Sequence, residues 1–215
     1  MVNFLPVISE SVSIDRFSAY QRVAKGDDAF ALALYEWNAE IAAAFWKDLG
    51  HLEILIRNVM HERLSTWSAR IYGEPLWYLD PGHVLTLRHQ LDIAAARKRA
   101  TTGRRGKSET PGRIVAELSF GFWRYLLASH YDRTLWKPVF LGGFGDQSRR
   151  SDIHTRLTRL NGLRNRIAHH EPIHYQSLEK RHIDLLTLTK WVNLDYGTWV
   201  VRQSTVPYQL TQRPI

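Results

Sequence analysis

Apolar residues recur at three- and four-residue intervals along nearly the whole of this chain, and nowhere do two alternating runs flank a hairpin turn. That spacing places apolar side chains on one face of a helix and leaves nothing to pair into a sheet, so the expected fold is all-α. With 215 residues the chain is long enough to bury a sizeable core. A single domain over residues 1–215 is expected.

The breaks divide the pattern. Ile14 to Ala24 is a short helix, followed by Gly26-Asp27-Asp28, whose aspartates suit an N-cap. Asp28 to Lys47 is Ala-rich and free of proline and glycine, and Gly50 is read as an interruption. Leu52, Leu55, Ile56, Val59, Met60 and Arg63 then trace a second face to about Tyr72, ended by Gly73 and Pro75. Asp80-Pro81 reads as a cap with a proline at the first helical position, opening a helix that carries Val84, Leu87, Leu91 and Ala95. Thr110-Pro111 starts another helix, and an aromatic-rich apolar segment follows from Leu118 to Leu127. Beyond the Gly142-Gly143-Phe144-Gly145 break, helices are expected from Ser151 to about His170 and from Ser177 to about Trp199, with an irregular tail over 200–215.

Composition narrows the function classes. The chain has no cysteine, which excludes a disulfide scaffold, a thiolate zinc site and a cysteine nucleophile. No stretch of 18 apolar residues occurs, and Met1 to Pro6 lacks the basic start of a signal peptide, so a cytoplasmic protein without a membrane segment is expected. Lys and Arg number 29 against 21 Asp and Glu, a formal charge of +8, which favours a polyanion such as RNA. The excess concentrates in 97–113, where seven basic residues face Glu109. This stretch reads as a basic loop in which Arg97, Lys98, Arg99, Arg104, Arg105 and Lys107 follow an RNA backbone, the competing reading being a solvated connection.

The segment Leu160 to Ile173 bears the chemistry. On a helix turning about 100° per residue, Ile153, Leu157, Leu160, Leu163 and Ile167 form one stripe, and Arg164 projects only about 60° from Ile167. An arginine there needs a carboxylate, a phosphate or a path to solvent. Glu53 is a carboxylate of the right kind. Pro172 disfavours helix at Glu171, so His169 and His170 fall in the last turn. In an ideal helix Arg164 and His169 point about 140° apart, and their convergence requires an irregular end or a second copy of the segment. Arginine suits a phosphate gaining charge, and histidine suits proton transfer to or from a ribose hydroxyl. A plain basic helix end is the competing reading. His170-Glu171-Pro172-Ile173-His174 fits the H-E-x-x-H zinc pattern in letters, yet Pro172 breaks the helix that pattern needs, and no metal is expected. A second cluster, Arg57 to Glu62 with His61, reads as structural or supporting, with Glu53 and Arg57 able to pair within one helix.

The run Arg164-Asn165-Arg166-Ile167-Ala168-His169-His170-Glu171-Pro172-Ile173 resembles the signature of the Abi-like family of abortive-infection proteins, within the HEPN superfamily and its R-x(4-6)-H ribonucleases. Leu52 to Asn58, Glu117 to Trp123, and Trp136 with Lys137 to Phe140 agree with it in order, over about residues 25–195. The resemblance implies a HEPN-like helical bundle with extra helices, a homodimer with the segments of two protomers facing across a cleft, and no cofactor. It implies a metal-independent endoribonuclease leaving 2′,3′-cyclic phosphate ends, a toxin of phage defence restrained by an antitoxin, either protein or small RNA. Arg164 and His169 match the catalytic pair, and His170 meets the alternative R-x5-H register. Asn165, Arg166, His170, Glu171, Glu53 and Arg57 are the supporting candidates. A non-catalytic RNA-binding or regulatory module is the alternative.

Overall fold

The computed structural model describes residues 5–102, 108–145 and 148–215, and among these there is no strand. The fold is all-α. Two short helices, α1 (Leu5–Val12) and α2 (Ile14–Ala24), lead into α3 (Asp28–Tyr72), whose first turn is capped by the Asp27 carboxylate accepting from the Phe30 amide at 2.9 Å.

Helix α3 runs unbroken for 45 residues, about 68 Å at 1.5 Å per residue. Gly50, expected to interrupt it, does not. A mid-helix glycine costs only about 1 kcal/mol against alanine, and Phe45, Leu49, Leu52 and Ile56 on either side are all buried. Packing on both flanks outweighs the glycine. Gly73, at φ +72°, then ends the helix in the left-handed region that glycine adopts without strain.

The Asp80-Pro81 expectation is corrected. Asp80 adopts φ +52° and closes a 3-10 turn over Trp77–Leu79. Its carboxylate accepts from the Val84 amide at 2.8 Å and from the Gln90 side chain at 3.0 Å. Helix α4 (Leu87–Thr101) therefore starts later and turns a different face inward: His89, Ile93, Ala96 and Ala100 are buried, while Leu87 and Leu91 are 70% and 61% exposed. The buried imidazole explains this face. His89 Nδ1 lies 2.8 Å from the Tyr131 hydroxyl and 2.9 Å from that of Thr86.

Because α4 extends to Thr101, Arg97, Lys98 and Arg99 are helical rather than part of a loop. Helices α5 (Pro111–Glu117) and α6 (Phe120–Tyr125) follow, then a π-helical stretch over Asp132–Phe140 with Pro138 inside it. Helix α7 (Arg150–Ala168) packs between α3 and α8 (Leu178–Val192) through the stripe Ile153, Leu157, Leu160, Leu163 and Ile167, every member buried as expected.

The end of the chain departs from expectation. Asn193, at φ −154°, ends α8 and caps α9 (Leu194–Gln203) by accepting from the Tyr196 amide. Residues 200–215 are mostly helical, with α10 (Val206–Thr211) laid on α3. There the Trp37 indole donates to the Gln209 carbonyl at 2.7 Å, and the Ser204 hydroxyl donates to the buried carboxylate of Asp48. No helix of the described residues is long and apolar enough to cross a membrane.

Candidate functional site

The carboxyl end of α7 is closed by a left-handed turn. His169 caps the helix, His170 sits at φ +54°, the Glu171 amide donates to the Arg166 carbonyl at 2.8 Å, and the His170 amide donates to that of Ile167 at 2.9 Å. This pair of bonds is a Schellman closure with histidine at the position usually held by glycine. Beyond Pro172 the chain turns into the core. The Ile173 and His174 amides both donate to Asn38 Oδ1 of α3, at 2.8 and 3.1 Å.

Arg164 leaves α7 on the flank that faces α3. Its Nε lies 3.8 Å from Glu53 Oε2, and its guanidinium stands 5.5 Å from the centroid of the Trp46 ring. The side chain is 32% exposed, and Nε is buried without a hydrogen bond. Arg164 is thus steered by a carboxylate and an aromatic face, while its fork is committed to neither. The contact with Glu53 is the one the carboxylate's kind suggested. Burial raises the Glu53 pKa above the ordinary carboxylate value, against the opposing pull of Arg164 and then Arg57. Arg57 forms no ion pair with Glu53, and its Nε is also buried and unbonded.

Arg166 points elsewhere. It donates to the Pro172 carbonyl at 3.3 Å, pairs with Glu171 at 3.2 Å and lies over the Tyr175 ring at 4.9 Å, so Arg166 and Glu171 staple the helix end. Asn165, His169 and His170 are exposed, and neither imidazole makes a hydrogen bond, an ion pair or a ring contact among the described residues. No contact within the chain brings His169 to Arg164. Between the end of α7 and α3 opens a cavity of about 540 Å³, lined by Ala39, Ala42, Ala43 and Trp46 of α3 and by His170 and Glu171; neither Arg164 nor His169 lines it.

The letters of the zinc pattern come apart in space. His170 is exposed in the left-handed turn, whereas His174 is buried with its ring 5.0 Å from that of Tyr20 and its pKa lowered, by burial first and then by Arg213. His61 is structural: its Nδ1 accepts from the Trp77 indole at 2.8 Å, and burial lowers its pKa. Among the described residues no three His, Asp or Glu side chains gather as ligands of one ion.

Of the basic stretch, Arg97 pairs with Glu109 and Arg99 with Glu117, each at 3.0 Å, while Lys98 is exposed on the last turn of α4. Arg104, Arg105 and Lys107 lie outside the described residues. Sequence reasoning missed Trp46 and Asn38. Trp46 lies seven positions before Glu53 and so on its face of α3, a detectable signal; Asn38 gave none, since its partners stand 135 and 136 positions away.

Compared with family models, with curated proteins and with solved structures, the chain matches none.

Proposed function

We propose that this all-α chain is a metal-independent endoribonuclease of the HEPN type, acting through Arg164 and His169. The observation that supports it most directly is Arg164 itself: a guanidinium held near the surface by Glu53 and Trp46 with its fork free, on the helix whose end exposes His169 and His170. In the reaction a histidine takes the proton of a ribose 2′-hydroxyl, and that oxygen attacks the adjacent phosphorus. The 5′-oxygen leaves with a proton from a second histidine, giving a 2′,3′-cyclic phosphate and a 5′-hydroxyl. Arg164 binds the non-bridging oxygens as they gain charge.

Because no contact within one chain joins Arg164 to His169, the reaction calls for a homodimer in which the α7 ends of two protomers face each other. A nuclease of this kind arrests growth, which fits a phage-defence toxin held in check by an antitoxin, protein or small RNA. His169→Ala is expected to lower RNA cleavage by at least about a hundredfold while the circular dichroism spectrum stays unchanged. Full activity in that variant moves the role to His170, and loss of activity on chelation replaces the mechanism with a metal-dependent one.

A second reading, an RNA-binding module without turnover, is favoured by the absence of any partner that orients the His169 and His170 rings. Tight binding of RNA with no cleavage by the wild-type dimer would establish it.

A further inference from the structure

The opposite flank of α7 holds an arrangement the candidate site does not use. Asp184 of α8 is only 4% exposed, yet three guanidiniums converge on it. Arg159 binds it in a fork, Nε to Oδ2 and Nη2 to Oδ1, both at 2.8 Å. Arg156 Nη1 reaches Oδ1 at 2.5 Å, and Arg181 Nη1 lies 3.5 Å from Oδ2. One cation neutralises a buried carboxylate; three leave two positive charges in surplus at its rim, where Arg156, Arg159 and Arg181 all keep some access to solvent.

A cavity of about 410 Å³ opens at this cluster, lined by Arg159, Ser177, Lys180, Arg181, Ile183 and Asp184. Lys180 adds a further positive charge, and its ammonium has no ion-pair partner among the described residues. Glu179, in the same turn, is exposed and paired with none of these groups. Ser177 precedes the 15-residue α8 without capping it by its side chain, so its hydroxyl is free to donate into the cavity. The volume lies in the range of small-ligand sites. Arg159 and Arg164 are five positions apart, about 140° round the helix, so this cavity and the candidate site are separate.

We propose that this cavity is a binding site for a phosphate monoester dianion. Its lining sets Arg159, Lys180 and Arg181 against Asp184, a net of two positive charges that matches a doubly charged group; Arg159 and Arg181 offer planar donors that suit phosphate oxygens, and Lys180 and Ser177 complete the donor set. The phosphate is either a small molecule, inorganic phosphate or a nucleoside 5′-monophosphate, or the 5′-terminal phosphate of a nucleic acid. The inference does not depend on ribonuclease activity.

The test is calorimetric titration of the full chain, at matched ionic strength, with inorganic phosphate, adenosine 5′-monophosphate, and a short oligodeoxynucleotide with or without a 5′-phosphate. DNA has no 2′-hydroxyl, so cleavage cannot confuse the result. Saturable binding of phosphate over chloride is expected, weakened about tenfold in the double variant Lys180→Gln/Arg181→Gln. Tighter binding of the 5′-phosphorylated strand than of either small molecule identifies a nucleic-acid end as the source; the reverse order identifies a small molecule. Lys180→Gln alone touches no bond to Asp184 and serves as the folded control, with a smaller loss in the same direction. Phosphate binding no stronger than chloride, or full affinity in the double variant, overturns the proposal.

Discussion

The Glu53 carboxylate stands 3.8 Å from the Arg164 guanidinium, close enough to pair and too far to hydrogen-bond. Since the Glu53 pKa is raised, chiefly by burial, the folded chain favours its neutral form more than the unfolded chain does. The stability Glu53 contributes is therefore fully present below its unfolded pKa and is lost as pH rises through the folded value.

Glu53→Gln copies the neutral state. The variant is expected to be more stable than the wild type at neutral pH, with the difference vanishing near pH 4, about the ordinary glutamate pKa, as read by urea denaturation at the two pH values. It also removes the charge competing for Arg164, so RNA affinity should rise at neutral pH. A variant less stable at neutral pH than at acid pH, relative to wild type, contradicts this account.

Asn38 holds the exit from α7 through a single oxygen that accepts two buried amides. Asn38→Ala leaves both donors without an acceptor and is expected to cost about 2 kcal/mol. Denaturant titration gives the loss, and amide exchange should accelerate first at Ile173 and His174.

His170 occupies left-handed space that disfavours a β-carbon. His170→Gly is expected to stabilise the chain by about 1 kcal/mol. If His169 is the proton-transfer residue, cleavage persists in this variant; its loss assigns that role to His170.

His89 is buried, and burial drives its pKa down to about 4 from 6.5. The folded state binds fewer protons than the unfolded state between these values, so stability is present above pH 6.5 and falls as the pH drops toward 4. The decline for His89 alone is on the order of 3 kcal/mol. His89→Gln should flatten the acid limb of the stability curve while lowering its plateau, because the bonds to Tyr131 and Thr86 are disturbed.

Arg97 and Arg99 already hold carboxylates, whereas Lys98 holds none. Lys98→Ala is expected to lower the salt dependence of RNA binding by about one unit of slope, and Arg97→Ala by less. Equal changes in the two variants would show that the Glu109 pair opens on binding.

Some of this was legible in the residue string. The stripe from Ile153 to Ile167 has helical spacing and no competing apolar face, so its burial and the outlying position of Arg164 followed directly. Helix α4 misled because Leu87 and Leu91 are more apolar than His89, yet the imidazole with its two hydroxyl partners went inward; hydropathy does not encode a satisfied polar group. Gly50 misled because propensity is weaker than packing. Asn38 stands far along the chain from Ile173 and His174, which it holds, and no local pattern reports such a pairing; Trp46, on the Glu53 face of α3, could have been read from spacing.

The continuity of α3 sets a condition on the chain's length. Asn38, Trp46 and Glu53 all address α7 or the segment that leaves it from one rigid rod. Inserting or deleting a single residue between Asn38 and Glu53 would rotate one relative to the other by about 100°, and with no loop inside the helix to absorb the offset, either the exit of α7 or the seat of Arg164 would be lost. The stretch from Asn38 to Glu53, all of it within α3, is thus fixed in length.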